Sequence, residues 1–347
     1  MASAIFSGSN RKTVKGLFMK NRKIRFLSAQ DLEKSISMAE AIRAVKEAFL
    51  QLSNGQAIVP LRTPMPLADR EGGALFMPVF LPESEQIGLK AVSVFAENPQ
   101  KGLPMIHALF LIMDGRDGRP LAVMDGEYLT ALRTGAASGL ATDLLARRGA
   151  RAAAVIGTGV QGRTQLEAVC AVRPIERAYA IDLDGAKAEA FAREMSDQLA
   201  IPVAAAEEEQ ALPDCDVLCT ATPATRPVFS GRLLKSGVHV NAVGSYQPEM
   251  CEIPPETVVR ARVIVDSRAA CMAEAGDLIQ PIDAGLIDES HILGEIGEVA
   301  AGTSEGRTSE DQITLFKSVG NAVQDLSVAS RALGRAEQLG LGVEVSL

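Results

Sequence analysis

The sequence predicts an α/β protein of two domains: an N-terminal α+β unit completed by the chain's last helix, and a doubly wound parallel sheet inserted between those parts. Three observations carry this prediction. The chain has 347 residues, about twice the ~150 of a typical domain. From Arg62 to Met124, short apolar segments are punctuated by Gly and Pro, as in successive antiparallel strands. After Gly149, strand-like and helix-like runs alternate, the mark of a helix-covered parallel sheet. AVILMFWYC residues make up 47% and charged residues 22%, a balance that fills a core and excludes disorder. The 35 Lys/Arg against 43 Asp/Glu give a net charge of −8 and no basic face for a phosphate backbone, so no nucleic-acid partner is expected. No apolar run approaches the ~20 residues that span a bilayer, so no membrane partner is expected either.

The elements follow in order. Residues 1–22, basic and acid-poor but lacking the apolar core of a secretory signal, are expected to be a flexible extension, with the fold beginning at Lys23–Leu27. Between Ser28 and Leu52, apolar residues recur at helical spacing (Ile36, Ala39, Ile42, Val45, Phe49), which predicts one amphipathic helix capped within Ser35–Met38 and closed by Gly55. Ala74–Phe80, Ile87–Phe95, Met105–Met113 and Pro120–Met124 predict strands of a largely antiparallel sheet, the last two joined by a turn at Asp114–Gly118. Leu129–Ala146 reads as an Ala-rich helix stopped by Arg147-Arg148-Gly149, which completes a first segment at 23–146. The parallel unit, 147–310, has strands at Ala152–Ile156, Arg177–Ile181, Val217–Ala221, Val238–Val243 and Val263–Val265, with helices at Val160–Val172 and Gly185–Leu199. A capping signal at Thr308–Asp311 predicts a final helix, Gln312–Gly334, and residues 311–347 are assigned back to the first unit.

Five cysteines without CxxC spacing read as reduced thiols of a cytoplasmic protein. Three histidines, none at ligand spacing from another His or Cys, give no expectation of a metal.

Chemistry begins at Val155–Gly162, where Gly157, Gly159 and Gly162 form GxGxxG. The hexapeptide follows an apolar strand, opens a helix, and is trailed by Asp182 at the end of the next strand. Gly157 permits the tight turn, Gly159 the close approach of a pyrophosphate, and Gly162 the packing of helix on strand. Free N–H groups of the helix N-terminus then face the phosphates. Asp182 suits the ribose hydroxyls and repels a 2′-phosphate, so the expected cofactor is NAD(H). Three cations interrupt apolar or small-residue elements instead of lying in charged runs: Arg62, Lys90 and Arg133. Alternation puts Lys90 on one strand face with Val92 and Val94, where a lysine needs a partner or a role.

Gly102-Leu103-Pro104, Leu121–Gly126, Thr130–Ala137, Val155–Gln161, Asn241–Gly244 and Thr314–Gly320 occur together and in order. This set resembles the ornithine cyclodeaminase/mu-crystallin family from about Phe26 to the C-terminus. The resemblance implies a substrate and dimerisation domain joined to a Rossmann domain, and a homodimer. It implies that Arg62, Lys90 and Arg133 hold a substrate carboxylate, with Lys90 also the proton donor. A forked guanidinium suits a carboxylate, and an amine buried among cations gives up a proton near neutral pH. By the same likeness, Arg133, Thr134, Val160, Gln161, Thr222, Val243, Gly244, Ser245 and Val319 join the glycines and Asp182 as cofactor contacts.

Cyclodeaminases of that family carry two carboxylates for the substrate amine, where this chain has Leu75 and Tyr246. Without them the diamine lacks a partner and a base. Tyr246 is either a hydrogen-bond donor to substrate or a ring packed on the cofactor. The function expected is an NAD(H)-dependent reductase or dehydrogenase of a 2-imino or 2-oxo acid, forming an L-amino or cyclic imino acid. Ketimines such as pyrroline-2-carboxylate, iminosuccinate, and pyruvate with ammonia are candidate substrates. Ornithine cyclodeamination with recycled NAD and a non-catalytic, crystallin-like binding role are the alternatives.

Overall fold

The computed structural model describes residues 23–70 and 72–346; the extension expected over residues 1–22 lies outside the described residues. The first unit opens with β1 (Lys23–Leu27), α1 (Ala29–Ser35) and α2 (Met38–Ser53). Where one helix is expected after Ser28, there are two. Ser28 and Ser37 each form a reciprocal capping box, with Asp31 and Glu40 respectively, and Ile36 between the helices is extended. Next come β2 (Thr63–Leu67), β3 (Gly72–Leu81), β4 (Gln86–Phe95), β5 (Ile106–Asp114), β6 (Pro120–Asp125) and α3 (Gly126–Leu145). The four expected strands are β3 to β6. In the antiparallel register Lys90 stands opposite Met77 and Phe110, on the buried face of the sheet.

The parallel unit supplies β7 (Ala152–Ile156), α4 (Val160–Val172), β8 (Arg177–Ile181), α5 (Gly185–Leu199), β9 (Val203–Ala205), α6 (Glu208–Ala211), β10 (Val217–Thr220) and β11 (His239–Ala242). It continues through α7 (Pro255–Arg260), β12 (Arg262–Val265), α8 (Arg268–Glu274), α9 (Gly276–Asp283), β13 (Ile292–Glu295), α10 (Ile296–Ala301) and β14 (Thr314–Lys317). The chain ends with α11 (Ala322–Leu339) and β15 (Val343–Ser346). Helix α3 is buried on nearly every side, because its small residues let neighbours close in: a Cβ on Gly135 would lie 2.5 Å from Thr164 O in α4, and one on Gly139 2.6 Å from Ile42 in α2.

Eight parallel strands run in the order β13-β12-β14-β11-β10-β7-β8-β9, with apolar clusters on both faces. The other sheet runs β15-β1-β6-β5-β4-β3-β2, antiparallel except where β1 meets β6. Its core lies against α2, α3 and α11.

The predicted final helix, Gln312–Gly334, is corrected. Thr314–Lys317 is a fully buried strand between β11 and β12, so residues assigned to the first unit from 311 begin inside the parallel sheet. A short apolar run bounded by polar residues suits a buried strand as well as a helical turn. Helix α11 starts only at Ala322, after the Ser318–Gly320 turn, where Gly320 has φ +84°; Asn321 and Gln324 form its capping box.

Candidate active site

The carboxyl ends of β7, β8, β10, β11 and β14 converge on one edge of the parallel sheet, where open α/β sheets bind ligands. At β7 the turn is shaped as the glycine spacing requires. Gly157 has φ +96°, and a Cβ there would lie 2.6 Å from Ala221 O; one on Gly162 would strike the Gly157 carbonyl. A Cβ on Gly159 would meet nothing within 4 Å. Packing therefore explains two glycines and leaves open space over the third, where a phosphate can approach the backbone at the N-terminus of α4. Gln161 Oε1 is buried there without a partner. The loop fits a dinucleotide. Asp182, at the end of β8, accepts from Thr158 N (2.9 Å) and Oγ1 (2.7 Å) and from Asp184 N (3.0 Å). Partial burial works against its charge, but these hydrogen bonds outweigh it and hold the carboxyl below its ordinary value.

The three predicted cations also come together. Lys90 Nζ, buried, lies 3.1 and 3.0 Å from the two carboxylate oxygens of Asp325 on α11. Arg133, buried on α3, donates from Nε to the same carboxylate (3.1 Å) and from Nη1 to Gln324 Oε1 (2.6 Å). Arg62 donates to Gly320 O (3.2 Å), and a Cβ on Gly320 would lie 2.6 Å from Arg133 Nη1, so the glycine lets the two guanidinium groups share one turn. Burial pushes the Lys90 pKa down to about 8 against the attraction of Asp325, with Arg133 and Arg62 adding repulsion. A lysine with a pKa of about 8 is protonated at neutral pH and loses its proton more readily than an ordinary one.

Beneath this turn lies a buried polar layer. Asp266 Oδ2 accepts from Ser318 Oγ (2.7 Å), Val319 N (3.1 Å) and Gly320 N (2.8 Å). Glu252 accepts from Thr220 Oγ1, from Thr222 N and Oγ1, and from Gly244 N, tying the end of β10 to that of β11. Asp277 accepts from Glu252 N (2.6 Å) and from Lys317 Nζ (2.8 Å).

Of the predicted cofactor contacts, Val160 and Gln161 open α4, Thr222, Val243, Gly244, Ser245 and Val319 lie in the strand-end loops, and Arg133 and Thr134 lie on α3. Several of their polar groups are already engaged: Thr222 and Gly244 with Glu252, Ser245 Oγ with Met250 O (2.9 Å), and Thr134 Oγ1 with Thr130 O (2.7 Å). Tyr246 is exposed beyond β11. Leu75, opposite Val92, shares the sheet face of Lys90. Sequence reasoning missed Asp325, Glu274, Asp266 and Glu252. For Asp325 a signal existed, since an acid flanked by Ala322, Leu326 and Ala329 at helical spacing lies on an apolar face. Among the described residues, no group of three His, Cys, Asp or Glu is placed to hold a metal, and no helix is long and apolar enough to cross a membrane.

A glycine-turn parallel sheet facing a buried cluster of cations defines a dinucleotide-dependent oxidoreductase that takes a carboxylate substrate. The chain belongs to the ornithine cyclodeaminase/mu-crystallin family, whose model matches residues 22–338. A Delta(1)-pyrroline-2-carboxylate reductase of Bacillus cereus (strain ZK / E33L) is 40% identical over 321 residues, covering 92% of this chain and 98% of the relative. The structure of the Thermococcus litoralis Delta(1)-pyrroline-2-carboxylate reductase, in complex with NADH and L-proline, matches with TM-score 0.89 and 45% identity, covering 93% of this chain and all of that one. An archaeal alanine dehydrogenase dimer with bound NAD matches with TM-score 0.88 and 35% identity, over 93% and 99% of the two chains.

Proposed function

We propose that this chain is an NAD(H)-dependent reductase of 2-imino acids whose preferred substrate is a cyclic monocarboxylate imine of the pyrroline-2-carboxylate type. The carrying observation is the buried Lys90–Asp325–Arg133 cluster, with Arg62 beside it, at the strand-end edge where the glycine turn would receive the cofactor. When bound, NADH supplies a hydride to C2 of the imine. Arg62 and Arg133 bind the substrate carboxylate and fix C2 in place. Lys90 gives its proton to the imine nitrogen, so that C=N becomes CH–NH. Asp325 keeps the lysine aimed and partly offsets its burial. Gly157, Gly159 and Gly162 with the α4 N-terminus receive the pyrophosphate, and Asp182 the adenosine ribose. Thr222, Val243, Gly244, Ser245 and Val319 shape the nicotinamide half of the site, with Tyr246 at its rim. Leu75 beside Lys90 leaves an apolar wall where a diamine needs a carboxylate, which favours reduction over cyclodeamination. NADH oxidation by the purified chain, with pyrroline-2-carboxylate and with pyruvate plus ammonia, tests this reading. Turnover of the cyclic imine is expected, and ammonia release from ornithine without net NADH change would overturn it.

Asp182→Ala is expected to narrow the preference for NADH over NADPH, measured as the ratio of dissociation constants, because it removes the charge that repels a 2′-phosphate. A wild-type preference for NADPH would contradict the assignment.

The protein is proposed to work as a homodimer in the reducing cytoplasm, which suits its five free cysteines. On the sheet face opposite Lys90, Leu109 (58%), Met65 (46%) and Leu67 (37%) expose apolar side chains to solvent in this single chain. Such a stripe matches an isologous interface between copies, and the similar alanine dehydrogenase is a dimer. Leu109→Glu is expected to shift the protein toward monomer in sedimentation velocity. An unchanged wild-type-like dimer would place the interface elsewhere.

A further inference from the structure

Arg62 has a partner of its own. Its Nη2 lies 2.7 Å from a Glu274 carboxylate oxygen, and Gly320 O lies 3.2 Å from the same nitrogen. Glu274 ends α8, just before the chain turns through Ala275 into α9, and its side chain is largely buried. The charged groups that act on it are Arg62 and, from the end of β12, Asp266. Burial raises the Glu274 pKa, Arg62 opposes this, and Asp266 adds to it. A carboxylate thus stands inside the proposed carboxylate clamp and occupies one end of an arginine fork.

We propose that Glu274 is a specificity-determining residue that limits the substrate to one carboxylate. The inference rests on the reading of Arg62 as part of the clamp of an imine reductase. Arg62 Nη2 donates to Gly320 O and stands in an ion pair with Glu274, whose Oε2 accepts no hydrogen bond, so the rest of the Arg62 fork, Arg133 and Lys90 remain for a single carboxylate of the substrate. A second carboxylate on the same imine finds no free cation among the described clamp residues and meets the fixed charge of Glu274 in a poorly solvated site. Lys90 and Arg133 already share the negative charge of Asp325, which leaves less positive charge for a second carboxylate. The arrangement selects monocarboxylate imines against dicarboxylate ones by repulsion as well as by fit.

The test compares kcat/KM, with NADH in the full-length chain, for pyrroline-2-carboxylate and for the imine formed from 2-oxoglutarate and ammonia. Where the dicarboxylate is not turned over, its inhibition constant against the cyclic imine gives the same comparison. Glu274→Gln is expected to reduce the preference for the monocarboxylate on the order of tenfold, through KM or the inhibition constant of the dicarboxylate. Glu274→Asp, which keeps the charge, is expected to retain most of the preference. A preference unchanged in Glu274→Gln, or lost equally in Glu274→Asp, would overturn the assignment. A wild-type enzyme that reduces neither imine overturns the functional reading itself.

Discussion

Lys90→Met is expected to lower turnover by roughly 10²–10⁴-fold while leaving NADH affinity unchanged, the usual range for loss of a general acid. Methionine keeps the length and apolar stem of the buried lysine, so packing against Met77 and Phe110 survives. Lys90→Arg is expected not to rescue, because a guanidinium does not deprotonate near neutral pH and its fork does not fit the point between the two Asp325 oxygens. The pH profile follows from the same group. With a pKa of about 8, the protonated donor is lost above that pH, so kcat/KM for imine reduction falls by about tenfold per unit there. Oxidation of the amine product needs the neutral lysine and rises through the same window. Near-wild-type activity in both variants would remove Lys90 from the chemistry.

Asp325→Asn has the second large effect, and it is read first in stability. The substitution leaves Lys90 and Arg133 buried side by side without their shared anion, at a cost of about 3–5 kcal/mol. A large fall in the thermal midpoint is expected, partly restored by a substrate-like carboxylate such as L-proline with NADH. Because Asp325 is the group that raises the Lys90 pKa against burial, its loss lets that pKa drop further. The alkaline limb of the reduction rate then moves to lower pH. An unchanged limb would mean that Asp325 is structural only.

What the sequence disclosed and what it hid divides along the range of the interactions. The glycine turn and Asp182 lie within one β–α–β stretch, where local spacing carries the signal. Lys90 is legible because a cation within an alternating apolar strand is locally anomalous. Its counter-ion is not, since Asp325 lies 235 residues away on a helix that starts later than its capping signal predicts. Thr308–Asp311 imitates a cap, and Thr314–Lys317 is too short for its period to tell strand from helix. Asp266 and Asp277 sit at a strand end and a helix start and Glu252 in the connection after β11, places where acids are ordinarily solvated; only tertiary packing turns them into buried acceptors. The β15 strand, exposed at the chain's end, carries no buried face for a pattern to mark.

The pairing of Lys90 with Asp325 also sets the order in which the molecule can be finished. During synthesis, β4 leaves the ribosome long before α11, and its lysine then has no anion with which to be buried. The first unit cannot close until the whole parallel sheet has been translated and its last strand has delivered α11 across the seven-stranded sheet. Such late, distant contacts slow folding and leave the nascent N-terminal sheet open to wrong partners. A chain cut after β14 would release an N-terminal unit with an uncompensated charge at its centre, so the two units are separable on paper and interdependent in the cell.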